Sequence, residues 1–352
     1  MDKDGQTDMT NRDVLLVTPW ERKGGLATYS DYLVSELRNE CNVSIFAWDY
    51  ESLLARGSGQ AVFDFALVKS IRKSDVIHVQ YTFGRYLLSF FFIALLGKLM
   101  RTPVTMTQHE RFDNLPVPRL LYLWHQFLYF FVDEIIVHTE NRKTIVGAYH
   151  RPNVTVIPHG VLEHGDVERE PRDINDILIP GLVRPIKGHP NLIGALNHLP
   201  ENVTLTIAGS ASSPEYGTEL KELIESAGLS ERVTWEDEFL PEDEMFQRIC
   251  EADLAVLPYE EHTSMSGMLA HCISWKTPTL VTDCPSFRCV INTEEAFLDG
   301  RSSELIADSI ERVNNESVQG EIIMEFEELI SECNWRRVSQ MTSNIYETVI
   351  NK

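Results

Sequence analysis

Asp176-Ile-Leu-Ile-Pro-Gly-Leu-Val-Arg-Pro-Ile-Lys-Gly188 is an apolar run that stops at a glycine, then a turn with two cations, closed by a second glycine. Asp176–Pro180 reads as a buried strand, Gly181 ends it, and a helix begins from Pro190. Arg184 and Lys187 stand three residues apart, and Gly188 permits close backbone approach before that helix. A diphosphate calls for this combination: fixed cations offset its charge and stabilise a leaving group as bond breaking adds more. The surroundings make the two cations conspicuous. Residues 1–165 hold 17 Lys+Arg against 18 Asp+Glu, and residues 166–352 hold 14 against 35, so nearly all of the net charge of −22 lies in the second half. Cations among so many carboxylates ordinarily form surface ion pairs worth under ~1 kcal/mol. The plain alternative to an anion site is therefore a pair of surface cations at a helix start.

Short apolar runs alternate with helical patterns on both sides of this stretch. In the first half the predicted strands are Val14–Thr18, Val43–Ala47, Val76–Gln80, Val104–Gln108 and Glu134–His138; in the second they are Asp176–Pro180, Val203–Ala208, Val233–Glu236, Leu254–Pro258 and Thr279–Thr282. Two such sets predict two Rossmann-like domains of the α/β class, each built on a doubly wound parallel sheet. The charged segment Glu163-His-Gly-Asp-Val-Glu-Arg-Glu-Pro171 lacks apolar periodicity, which places the boundary between Glu163 and Asp173. At 352 residues with 43% hydrophobic content, each domain has material for its own core.

Composition excludes several classes. The net charge of −22 argues against nucleic acid as a partner, since phosphate neutralisation needs a basic face. Six cysteines, Cys41, Cys250, Cys272, Cys284, Cys289 and Cys333, have no CxxC spacing and predict neither a zinc site nor a disulfide framework. Residues 1–12 are polar and read as a loose tail instead of a signal peptide, giving a cytoplasmic expectation. Tyr86–Leu96 and Leu120–Val132 are dense in apolar and aromatic residues but fall short of the ~20 residues that span a bilayer. They read either as crossover helices buried on the sheet or as a face resting on the inner side of the cell membrane, with Arg85, Lys98, Arg101, Arg111 and Arg119 attracting anionic headgroups.

Three further places carry candidate chemistry. Gly24-Gly25 lies between the first strand and a helix patterned by Leu26, Tyr29, Leu33 and Leu37, where backbone N–H groups can approach a ligand oxygen. Ser266-Gly267, within Leu257-Pro-Tyr-Glu-Glu-His-Thr-Ser-Met-Ser-Gly-Met-Leu-Ala-His271, opens a helix after a strand; it offers donors to phosphate, and Ser264 or Ser266 equally suits an N-cap. His109, in Thr107-Gln-His-Glu-Arg-Phe112, follows a strand and can face a ligand there, and His78, His138 and His159 also end apparent strands. These histidines show no recognisable metal-ligand spacing.

Taken in order, Gly24-Gly25, His109, Val156-Ile-Pro-His-Gly-Val161, Gly181–Gly188, Leu205-Thr-Ile-Ala-Gly209, Ala252-Asp-Leu-Ala-Val-Leu-Pro258 and Trp275-Lys-Thr-Pro-Thr-Leu-Val-Thr-Asp283 resemble the retaining GT-B glycosyltransferases of family 4 over nearly the whole chain. The resemblance implies two Rossmann-like domains facing a central cleft. Asn334-Trp-Arg-Arg-Val and Ile345-Tyr346 look like the last helix of that fold, which crosses back, giving a first domain of 13–165 plus 336–352 and a second of 166–335. It also implies a UDP- or GDP-linked sugar as donor substrate, no metal and no cofactor, and a glycan acceptor, lipid-linked if the aromatic first domain meets a membrane. Gly24, Gly25, Arg184, Lys187, Ser266, Gly267 and Met268 would then hold the donor, with His109 beside the transferred sugar.

The chain departs from the family where two glutamates normally stand seven residues apart. Those positions are Thr263 and His271 here, with Glu260 and Glu261 just upstream, and the chain looks like a subset with a Pro-Tyr…Ser-Gly loop. His271 can still hydrogen-bond a donor ribose. The arginine common after the strand glycine is Leu182, which leaves Arg184 as its substitute. Besides a hexose transferase, the sequence leaves open a nucleotide-sugar epimerase and an inactive homologue serving as a sugar-nucleotide-binding scaffold.

Overall fold

The computed structural model describes residues 12–20, 24–47, 65–82, 87–109, 127–147, 153–165, 167–260 and 266–352. The chain divides into two compact units, Met1–Gly160 with Trp335–Lys352, and Val161–Asn334. The division falls a few residues before the charged segment at Glu163 for a local reason. Val161 already bridges to Asn334 and donates to the Cys333 carbonyl at 3.0 Å, and Leu162 N–H reaches Ser274 Oγ at 2.8 Å, so the chain is fastened to the second unit there.

The first unit carries six parallel strands: β1 (Asp13–Thr18), β2 (Asn42–Ala47), β3 (Val76–Tyr81), β4 (Val104–Gln108), β5 (Glu134–Val137) and β6 (Asn153–Val156). Their order is β2-β1-β3-β4-β5-β6. After β2 the chain reverses direction across the sheet, so the switch point lies between β1 and β3. β3, β4 and β5 are buried along their whole length. Helices on both faces require this, and it explains runs such as Val76-Ile-His-Val-Gln-Tyr81 in place of strict alternation. Leu15, Val17, Ile77, Val79, Val104, Met106, Ile135 and Val137 form the core with Phe90, Ile93 and Ala94 from the helix Leu87–Met100.

The last helix, Trp335–Ile350, belongs to this unit. Its buried residues Trp335, Val338, Thr342, Tyr346 and Val349 recur every three or four positions, giving one stripe, and the helix packs on Gly25–Leu37. Gly160 has a steric role in this: a Cβ there would collide with the Trp335 ring.

The second unit also has six parallel strands: β7 (Asp176–Pro180), β8 (Thr204–Ala208), β9 (Val233–Glu236), β10 (Leu254–Leu257), β11 (Thr279–Thr282) and β12 (Phe297–Leu298), in the order β12-β11-β10-β7-β8-β9. Read from β9, this is the 3-2-1-4-5-6 order of dinucleotide-binding folds, with its switch point between β7 and β10. Ile177, Ile179, Leu205, Ile207, Leu254 and Val256 form the centre of its core.

The ten strands read from sequence are present, and two edge strands add to them. β6 is exposed or half-buried throughout and β12 is two residues long, so neither carries the buried run that marks a strand in sequence. Both Rossmann-like units thus match the expected architecture. All six cysteines are free. Among the described residues no helix is long and apolar enough to cross a membrane. Of the second aromatic segment only 127–132 is described; Leu128, Tyr129 and Val132 are buried, Phe127 and Phe130 exposed. Arg85, Arg111 and Arg119 lie outside the described residues.

Candidate active site

In the second unit the Gly181–Gly188 turn occupies the carboxyl end of β7, beside the switch point. Gly181 has φ 96° and Gly188 φ 72°, both in the region that favours glycine. Side chains there would also collide: a Cβ on Gly181 would come within 2.9 Å of Met268 Cγ, and one on Gly188 would strike the Pro258 carbonyl oxygen. Between them, Val183 is fully buried and bonds both ways with the strand-end loop after β8, through Ser210 O at 2.9 Å and Ser212 N at 2.8 Å. Leu182, the residue where an arginine was expected, is 47% exposed and adds only apolar surface. The turn is anchored by its apolar and glycine residues, which frees Arg184 and Lys187 for other work.

The fate of the cations in this unit is informative. Arg172, Lys221, Arg248, Lys276, Arg288 and Arg312 pair with Asp253, Asp237, Glu236, Glu327, Asp283 and Asp299. Arg169 and Arg232 donate to main-chain carbonyls. Among the described residues Arg184 and Lys187 pair with no carboxylate, as does the exposed Arg301 beyond β12. Lys187 instead places Nζ 3.3 Å from the ring centroid of Tyr259, which is fully buried after β10. Burial, and then the charge of Arg184, lower the Lys187 pKa to about 7. His189, buried beside it, is brought to about 4 by burial and by Lys187, so it is neutral at pH 7.

Tyr259 Oη lies 3.4 Å from Ser266 Oγ, and Ser266 caps the helix Gly267–Ser274 by accepting from Leu269 N–H. The N-cap assignment therefore falls on Ser266, and the cap directs the positive end of that helix to the same strand edge as the turn. Met268 packs against Gly181, while His271, one turn further on, meets Phe246 edge-on at 5.0 Å. Burial, with a smaller contribution from His164, lowers His271 to about 4. It is a neutral imidazole at pH 7. Thr263, with Glu261 and Ser264, lies outside the described residues.

The first unit gathers a different group at the carboxyl edge of its sheet. Gly24 has φ 139°, a glycine conformation, and its carbonyl accepts the first bonds of the helix Gly25–Leu37 from Ala27 and Thr28. Tyr29, one turn into that helix, is buried in contact with His109, His138, His159 and Trp335, at centroid distances of 4.6, 5.4, 5.1 and 4.9 Å. Three of the histidines expected to share a groove do meet. His78 is corrected: β3 runs on to Tyr81, so His78 sits within the strand, fully buried, bonded to Tyr346 and Thr107. His138 Nδ1–H donates to the Ile157 carbonyl at 2.9 Å, and burial lowers its pKa to about 4. His109 lies well below the ordinary histidine range, through burial first and then through His138, His159 and His78. Burial keeps His109 and His138 uncharged at neutral pH. Among the described residues no three side chains are arranged to hold a metal ion.

Sequence reading took Tyr29 only as part of a helix pattern and Tyr259 only as part of the Pro-Tyr…Ser-Gly loop, and did not single out Gln80; only packing shows what each touches.

Two parallel six-stranded Rossmann-like sheets, one in each compact unit, define an α/β protein of the GT-B fold. Residues 23–162 match the family model described as Glycosyltransferase Family 4, and residues 163–325 the model described as Glycosyl transferases group 1. The chain is a glycosyltransferase of this family. No curated protein matches it significantly. Among solved structures, HepE of Anabaena in complex with UDP superposes with a TM-score of 0.78 at 16% identity, covering 96% of this chain and 100% of that one. HepE in complex with UDP-glucose gives 0.74 at 15%, again over 96% and 100%. Sucrose-phosphate synthase of Thermosynechococcus elongatus gives 0.73 at 14%, over 97% and 99%. At these identities the similarity establishes the shared fold.

Proposed function

We propose that this glycosyltransferase moves a hexose-type sugar from a UDP- or GDP-linked donor to a glycan acceptor with retention of anomeric configuration. The observation that carries this reading is the state of Arg184 and Lys187, two cations at the β7/β10 switch point without a carboxylate partner among the described residues of a strongly acidic unit. In this reading the second unit holds the donor. Arg184 and Lys187 bind its diphosphate and stabilise the charge that grows on it as the glycosidic bond breaks. Because the cations supply that charge, no metal is needed. Gly267 and Met268 present the helix N-terminus to phosphate, and His271 offers a neutral hydrogen bond to the ribose. The first unit binds the acceptor, with His109 hydrogen-bonding a sugar hydroxyl and Gly24-Gly25 offering backbone N–H groups to a ligand oxygen.

The test is a titration with UDP-, GDP- and sugar-linked forms of each, followed by product NMR with and without EDTA. Binding, transfer insensitive to EDTA and an unchanged anomeric configuration are expected; no binding of any nucleotide diphosphate overturns the reading. The neutral His271 in place of a carboxylate favours a second reading, an inactive homologue that binds sugar nucleotides. Tight binding without hydrolysis or transfer to any acceptor would establish it.

Membrane contact belongs to the same proposal. Leu99, flanked in sequence by Lys98 and Arg101, is exposed, as are Phe127 and Phe130, and exposed apolar groups with basic ones suit an anionic lipid surface and a lipid-linked acceptor, although Lys98 also pairs with Asp133 at 3.6 Å. Flotation with anionic vesicles should carry the protein upward; complete absence from the vesicle fraction overturns this part.

A further inference from the structure

A chain of buried polar side chains runs through the first unit from His109 to the last helix. His109 Nε2 lies 2.6 Å from Gln80 Oε1. Gln80 Nε2 lies 3.4 Å from His78 Nε2, which also meets Thr107 Oγ1 at 2.8 Å. His78 Nδ1 lies 2.5 Å from Tyr346 Oη. Gln80, His78 and Tyr346 are each at most 1% exposed, so water does not substitute for these bonds.

The donors and acceptors fit in one direction. An amide oxygen only accepts, so His109 Nε2 carries its proton toward Gln80. The amide nitrogen only donates, so His78 Nε2 is bare, and the His78 proton sits on Nδ1 facing Tyr346. With its single proton committed to Gln80, His109 is left with an unprotonated Nδ1. Among the described residues the titratable groups around His109 are His78, His138, His159 and Tyr29, and burial keeps His78 and His138 neutral at neutral pH.

We propose that Gln80, backed by His78 and Tyr346, is a positioning residue that locks His109 as the Nε2–H tautomer, so that the site presents the Nδ1 lone pair as a hydrogen-bond acceptor. His109 then orients a hydroxyl and does not deliver a proton. The lock ties that orientation to the docked helix Trp335–Ile350, more than two hundred residues away in sequence. The tautomer stands on the hydrogen bonds alone; its use toward a sugar hydroxyl rests on the glycosyltransfer reading above.

The experiment is a long-range proton–nitrogen NMR spectrum of the full chain with 15N-labelled histidine at pH 7.5, with His109 assigned from the signal missing in His109→Ala. The proton is expected on Nε2 in the wild type. Gln80→Glu, which keeps an acceptor, should retain that tautomer and move the titration of His109 upward. Gln80→Leu should give a mixture of both, with kcat down about tenfold or more and donor KM within about threefold. Tyr346→Phe should loosen the tautomer of His78 while the ring keeps its place. A wild-type His109 protonated on Nδ1 overturns the lock, and so does an unchanged tautomer in Gln80→Leu. The wild-type spectrum decides the assignment even if a variant fails to fold. The two readings fail separately: an Nε2–H tautomer in a protein that binds no sugar nucleotide sinks the function and leaves the lock, whereas Nδ1–H in an active enzyme sinks the lock alone.

Discussion

The two units share a parallel, doubly wound sheet, yet the carboxyl edges of those sheets are chemically opposite. The second unit offers charge: Arg184 and Lys187 on a glycine-bounded turn, with a helix N-terminus at the same edge. The first offers aromatic rings: Tyr29 among His109, His138 and His159, with burial keeping His109 and His138 uncharged at neutral pH and His159 Nδ1 lying 2.8 Å from the Gly160 carbonyl. A diphosphate and a sugar need these two environments respectively, the one cationic and the other rich in neutral hydrogen-bonding groups. One fold supplies both because the strands set only the places, and the residues following them set the chemistry.

The contrast can be broken most severely at Lys187. Lys187→Ala should lower kcat by about 10²–10³-fold, the scale for losing one charge-stabilising donor in a water-poor site, with folding unaffected by circular dichroism. An unchanged turnover would remove the cationic half of the comparison. Gly188→Ala comes next. It combines a left-handed backbone with a collision at the Pro258 carbonyl, and should cost the second unit about 2–3 kcal/mol in denaturant unfolding while weakening nucleotide binding. A neutral result would show that the turn has another way to approach β10.

On the other side, Gly160→Ala should push the Trp335 ring aside and destabilise the first unit by about 1–3 kcal/mol, read as lost hydrogen-exchange protection along Trp335–Ile350. Protection in Val161–Asn334 should stay as it was. The smallest effect sharpens the comparison through pH. Diphosphate favours the ammonium form of Lys187, whose pKa in the free protein is about 7, so UDP binding should weaken as pH rises above 7, by up to about tenfold per unit, with proton uptake in calorimetry. The sign for stability is opposite. The unfolded chain holds this proton up to about 10.5, so Lys187 makes the ligand-free protein more stable as pH rises from about 7 to 10.5. His78, His109 and His138, already neutral there, should contribute nothing to either trend in that range.

Much of this arrangement was legible beforehand. Asp176–Pro180, Thr279–Thr282, Val104–Gln108 and Val233–Glu236 are strands with the bounds read for them; the first three are buried along nearly all of their length, whereas the edge strand Val233–Glu236 is exposed or half-buried. The cationic turn was legible because cations between glycines are locally unusual. Tyr259 was not, since nothing about a tyrosine after a strand says that a lysine 72 positions earlier rests on its ring. His78 reads as ending its strand, but the strand continues three residues further to Tyr81, and that difference decides whether a histidine faces a ligand or the core.

The sequence by itself determined the two α/β units, their strands and the residues bounding the Gly181–Gly188 turn, because these depend on period, hydrophobicity and the allowed backbone angles of neighbouring residues. Only the tertiary structure decided the strand order that puts β7 beside β10, the lack of a carboxylate on Arg184 and Lys187 among the described residues, and the joining of His109 to Tyr346. Those outcomes depend on which surfaces bury each other across long stretches of chain, and local pattern carries no record of that.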